Sequence, residues 1–264
     1  MPIFIMFFNE KYAPFDNCHV IINGGRLYLA WNSLYSVKLW VPMNPYDIVL
    51  LIHILLFCYW LGGDIGVFYS SQFVVDSRLS RETRMTAAKI MLGCDLIPKI
   101  CMSLMLTVGG ILAHYLGVQH DPWQFVGIIL LGPIWLTMVL VLHYYHNARY
   151  IPTLTKVDYI FRWIMIAVIA TSCVYAYNSG GLDQAPWLTL KLLGFGFLIF
   201  CGLMIRINLK EFSVTYAKML QDSHDDSDNQ KMVRSLKKVK PWVVTIWLVL
   251  ILEAYVGIAK PLFI

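Results

Sequence analysis

The chain has 264 residues, 58% of them hydrophobic and 14% charged, with a mean hydropathy of +0.62 and a formal net charge of +5. Soluble domains run near 45–50% apolar and about 25% charged, so this composition excludes an ordinary water-soluble globule and points to a polytopic membrane protein. In that class the positive charge is first a topology signal and not a nucleic-acid footprint. The six cysteines lie mostly inside apolar runs with no C-x-x-C spacing, which argues against both a disulfide framework and a zinc site.

Residues 1–42 mix a short apolar start with polar and turn residues such as Asn23-Gly24-Gly25, and are expected to be a loosely ordered N-terminal extension. Met43 directly precedes the first long apolar segment and is a candidate natural start. Residues 43–264 then read as one all-α domain, a helical bundle with about six transmembrane segments at 46–75, 88–117, 123–146, 157–178, 186–209 and 240–260. Short turns join the second segment to the third and the fourth to the fifth, which makes each pair antiparallel neighbours. The connection at 210–239 is polar, with acidic residues around Asp225 followed by a basic run, and is expected to be helical with a polar tip.

Of the 21 Lys and Arg residues, fourteen fall in the connections 76–89, 147–156 and 205–240, against four in the N-terminal extension and at Lys260. By the positive-inside rule both termini are non-cytoplasmic and the basic connections are cytoplasmic. The basic run at 231–240 reads as anchoring to that surface.

Inside the apolar segments the informative residues are the ionisable ones, because each needs a partner or a cavity. His53, Phe57, Trp60 and Asp64 follow steps of four, three and four, and so share one face of the first helix. Counting about 1.5 Å per residue places His53, His114, Lys191 and Glu253 in the same outer leaflet. If they converge, they form a site of two imidazoles, an ammonium and a carboxylate. Two histidines on facing helices suit a haem iron, and a lysine suits its propionates. Interfacial snorkelling is the other account of His114 and Lys191. A deeper polar layer is expected from Asp64 facing Lys99 across the first helix pair, with Asp95 sharing Lys99 within its own helix, as a clamp or a proton relay. Pro98 should kink that helix. His143 and His146 have metal-compatible spacing but sit among interfacial aromatics. Met91, Cys94, Cys101 and Met105 form a soft-donor stripe of the kind copper(I) takes, or a packing stripe.

The early histidine of the first helix, with a tryptophan seven residues on and then glycines, resembles the first helix of the HemJ-type protoporphyrinogen oxidases and the related CopD-like membrane proteins. Segment 186–212, PWLTLKLLGFGFLIFCGLMIRINLKEF, is similar to the tryptophan-lysine helix of that family, and VKPWVVTIWLVLILEAYVGIAKPLF to its closing helix. The resemblance implies that His53 is a haem ligand and that Lys191 is important for activity. It departs at two places, since the family's other histidines would fall near Val74 and Gly202, and helices three and four would be an insertion.

The expectation is therefore an inner-membrane protein that binds haem b near the outer leaflet. His53 and His114 are the candidate axial ligands, Trp60 lies beside the cofactor, and Lys191 and Glu253 are candidate catalytic residues. Its work would be electron transfer or a porphyrin-linked oxidation with a partner redox protein. The alternatives are copper transport of the CopD-like kind and a cofactor-free structural or assembly subunit.

Overall fold

The computed structural model describes residues 18–23, 26–31, 44–118, 121–145, 148–179, 185–220 and 226–260. Seven helices make up the body: α1 (Pro45–Val75), α2 (Arg81–Tyr115), α3 (Pro122–Tyr144), α4 (Ile151–Ser179), α5 (Pro186–Asn208), α6 (Lys210–Leu220) and α7 (Asp226–Ala259). All but the short α6 are long and apolar enough to cross a membrane. From Pro45 onward the described residues thus form an all-helical bundle of six candidate spans. The expected helical continuation of the polar connection is present as α6 and the first turns of α7.

The N-terminal unit holds one element that hydropathy alone does not reveal. Strands β1 (Cys18–Asn23) and β2 (Arg26–Trp31) pair antiparallel, with Cys18 opposite Trp31 and Asn23 opposite Arg26. Val20, Ile21 and Ile22 in β1 and Tyr28 in β2 are strand-favouring types. Two glycines connect the strands, a composition that two-residue hairpins favour. The rest of 1–43, and with it the question of a start at Met43, lies outside the described residues.

Local sequence punctuates the helices. Ser80 caps α2 by accepting from the Thr83 N–H at 3.3 Å, and α2 ends before Gly117, whose φ of +89° suits a residue without a Cβ. Asp121 and Gln124 form a capping box ahead of α3, with Pro122 in its first turn. Between α1 and α2, Arg78 hydrogen-bonds the Asp76 carboxylate at 2.8 Å and holds that carboxyl down at about 2.

Packing of the bundle runs through extended contacts of α2 with α3, α4 with α5, and α5 with α7. At the α2–α3 contact the Thr107 hydroxyl donates to the Ile128 carbonyl at 2.6 Å and accepts from the Gly132 N–H at 2.8 Å. It thereby inserts into the helical ladder of α3 one residue before Pro133. A Cβ at Gly132 would sit 2.7 Å from that hydroxyl, so only glycine admits it.

α1 is held differently, with no extended close backbone approach to another helix among the described residues. Trp60 meets Phe195 of α5 edge-on at 6.2 Å, Phe68 meets Trp247 of α7 at 5.5 Å, Gly63 lies against Pro98, and Gly66 lies against Cys94. At its end the buried Arg84 donates to the Val74 carbonyl at 2.8 Å, satisfying a carbonyl of the last turn, and reaches Asn229 of α7 at 2.7 Å.

The Gly63 contact is tight enough to test. A Cβ there would fall 2.7 Å from Pro98 Cδ, whereas one at Gly62 meets nothing within 4 Å. Gly63→Ala should therefore destabilise the bundle by about 1–3 kcal/mol through overpacking. Gly62→Ala should be neutral or stabilising by up to about 1 kcal/mol. Thermal unfolding of the two variants in one detergent measures the difference.

Candidate functional site

Two of the four ionisable residues expected to converge, Lys191 and Glu253, meet directly, and His53 lies within electrostatic reach of Lys191. Lys191 of α5 turns inward and donates from Nζ to the Glu253 carbonyl of α7 at 3.0 Å, with the Glu253 carboxylate 3.9 Å away. Both side chains are mostly buried. The interfacial snorkelling account of Lys191 is thus replaced by an internal pair. Two glycines make room for it. A Cβ at Gly257 would lie 3.1 Å from Lys191 Nζ, and one at Gly194 would collide with the Glu253 carboxylate.

His53 of α1 stands within electrostatic reach of Lys191, and its Cε1 lies 3.5 Å from where a Cβ of Gly109 would project. Its Nδ1 is buried without a hydrogen-bond partner. Each polar side chain of this cluster therefore faces a glycine on a neighbouring helix: His53 faces Gly109, Lys191 faces Gly257, and Glu253 faces Gly194.

His114 does not join them. Its ring lies against Phe125 of α3, 4.5 Å between centroids. His53 packs on the Gly109 face of α2, and His114 is five residues further on, a rotation of roughly 140° around the helix. His114 therefore lies on a different face of α2 from Gly109 and about 7.5 Å further along its axis. Trp60 is buried two turns below His53 on the same stripe of α1, where it closes the cluster from the middle of the bundle.

The remaining candidates fall elsewhere. His143 contacts Tyr144, and His146 lies outside the described residues. Met91, Cys94, Cys101 and Met105 extend over roughly 21 Å of α2, too far to surround one ion. Met91 packs in one apolar cluster, and Cys101 and Met105 pack in the other. Among the described residues no group of three or more His, Cys, Asp or Glu is placed to hold a metal ion.

The deeper layer sits near mid-span, because Trp60 is level with Phe195, nine residues into the 23-residue α5, and Gly63 is level with Pro98. Lys99 hydrogen-bonds Asp95 one turn away in α2. The expected clamp between Asp64 and Lys99 is not formed, since the nearer carboxylate on the same helix captures the ammonium. Pro98 lies within a continuous α2.

A third polar group escaped the sequence reading. Asp158 of α4 is buried and accepts from Arg162 Nε at 3.1 Å and from Arg206 Nη1 of α5 at 2.7 Å. Arg206 also donates to the Thr155 carbonyl at 3.2 Å. The Arg162 guanidinium lies over the Trp135 ring at 5.5 Å and reaches Met102 Sδ at 3.6 Å. The signal was available, since Asp158 and Arg162 are four apart in an apolar segment.

No protein-family model, curated protein or solved structure matches this chain. The reading of the site therefore rests on its own chemistry. The Lys191–Glu253–His53 cluster offers an ammonium with hydrogen-bonding capacity to spare, a carboxylate and an uncommitted imidazole. The Asp158 network has its groups committed to one another and is built for cohesion.

That contrast makes a prediction. Removing one partner of a buried ion-pair network costs about 3–5 kcal/mol because the other charges stay buried without compensation. Asp158→Asn should lower stability on that scale, while Asp76→Asn, in the exposed pair, should leave it near wild type. Unfolding midpoints of both variants against wild type check this.

Proposed function

We propose that this chain is a multi-pass membrane protein that binds haem b through His53 and acts in a porphyrin-linked oxidation or in electron transfer, in the manner of the HemJ/CopD-like proteins it resembles. The observation that supports the reading is the state of His53. Neither ring nitrogen hydrogen-bonds another described residue, and Nδ1 is enclosed without a partner, a condition that costs about 1–3 kcal/mol if nothing offsets it. A coordinate bond to iron uses such an imidazole.

The donor set fits a haem held by one imidazole. Bound there, haem b supplies reversible one-electron chemistry at its iron. Lys191 presents its ammonium to a carboxylate such as a porphyrin propionate, and Glu253 keeps that ammonium paired in the absence of one. Trp60 separates the site from the polar layer below. With His114 set against Phe125, the cluster holds a single histidine among the described residues, and this favours an oxidation over simple electron transfer between two fixed ligands. The distribution of Lys and Arg orients the site toward the outer leaflet of a plasma or inner membrane, with both termini outside and a redox protein as partner.

The test is a reduced-minus-oxidised visible spectrum of detergent-purified protein with a pyridine haemochrome assay. About one haem b per chain is expected, lost in His53→Ala and retained in His114→Ala. A colourless protein from haem-replete cells, or full haem occupancy in His53→Ala, would overturn the proposal.

A further inference from the structure

The Lys99–Asp95 pair stands near the middle of α2, yet its side chains keep 44% and 36% of their accessible surface. That surface is not on the lipid side of the helix. Thr86, Ile90, Gly93 and Ile97 follow steps of four, three and four and make the outward face of α2. Ile90 and Ile97 are exposed, and a Cβ at Gly93 would meet nothing within 4 Å. Ala88, Met91, Asp95, Lys99 and Met102 follow steps of three, four, four and three. They form a second stripe, roughly 170° around the helix from the first.

The two ends of this second stripe are buried in separate apolar clusters. Ala88 and Met91 pack in the cluster that holds Met219 of α6 and Met232 of α7. Met102 packs in the one that holds Trp60 of α1 and Phe195 of α5. Only the middle of the stripe stays open. An ion pair with open surface on the inward side of a helix marks a gap between the clusters, and at this depth such a gap holds water or a polar solute. Hydrogen-bonding capacity is available in it, because the Lys99 ammonium has three donors and directs one to Asp95.

The charges of the pair restrict the solute. A lone anion that captures Lys99 strands the Asp95 carboxylate, and a lone cation that captures Asp95 strands the ammonium. A solute with both charges exchanges with the pair instead. Its carboxylate meets Lys99, its ammonium meets Asp95, and no charge is left over. We propose that the gap at Lys99 and Asp95 is a binding site for a small zwitterionic solute that carries an amine and a carboxylate. The site is independent of the haem reading, since it shares no residue with His53, Lys191 or Glu253.

The unfolding midpoint of the full chain in detergent reads the site, with glycine, γ-aminobutyrate, acetate and methylammonium as probes. At least one of the two zwitterions should raise the midpoint saturably, and acetate and methylammonium should leave it unchanged. The rise should vanish in the double variant Asp95→Leu with Lys99→Met, which removes both charges together and strands neither. Should that variant fail to fold, Asp95→Asn with Lys99→Gln takes its place. Equilibrium dialysis of the radiolabelled zwitterion against the native chain should find saturable binding, and no binding overturns the proposal whatever the variants do. No shift with either zwitterion, or an equal shift in a folded double variant, overturns it as well. So does a shift with methylammonium alone, a cation that the Asp64 carboxyl at the same level would accept.

Discussion

The structure is governed by the cost of placing an ionised or unpaired polar group among apolar helices. Three polar levels meet that cost in three ways. Near the short-turn end Lys191 pairs with Glu253 across α5 and α7. At mid-span Lys99 is satisfied within its own helix by Asp95. At the opposite end of the bundle, Asp158 is shared by two arginines on α4 and α5. Only the last is closed on itself. The first leaves the His53 Nδ1 buried without a hydrogen-bond partner, and the second leaves Asp64 outside the Lys99–Asp95 pair.

Glycine is the device that makes the first level possible. A long charged side chain can lie between two tightly packed helices only where the facing residue lacks a Cβ. Gly257 and Gly194 provide that space for the two halves of the Lys191–Glu253 pair, and Gly109 does so for His53. The same logic admits the Thr107 hydroxyl into α3 at Gly132. A Cβ at Gly194 or Gly132 would collide with the group it faces, whereas one at Gly109 would make an ordinary contact with His53.

How much of this is legible in the sequence follows from what each signal measures. Hydropathy measures length and transfer cost, so the six spans are readable, while the β1–β2 hairpin is not, being six-residue strands in a mixed stretch. Counting residues from a helix end measures depth, and it correctly brings His53, Lys191 and Glu253 to one level. It is coarse to a turn and says nothing about rotation around the axis, which is why His114 lies five residues beyond the level of Gly109 and on another face. The Asp64–Lys99 expectation failed for a related reason. A cross-helix partner competes with one fixed four residues away on the same helix, and the local partner needs no particular packing to be reached. The glycine cradles are pairings between distant segments, and a single sequence holds no trace of which glycine faces which side chain.

His53 and Asp64 both belong to α1, and so does Trp60 between them. This is also the helix held by scattered side-chain contacts instead of an extended backbone interface. The two facts are connected. A helix packed closely along its length would cover its inward stripe with neighbouring side chains, and a polar stripe could not survive there. Because α1 is fixed at Gly63 against Pro98, at Gly66 against Cys94 and at its end by Arg84, its inward stripe can stay polar without the helix losing its place. A shift of α1 as a rigid rod would move His53 relative to Lys191 and Asp64 relative to Lys99 in the same step. The two levels therefore share one mechanical element although they share no side chain.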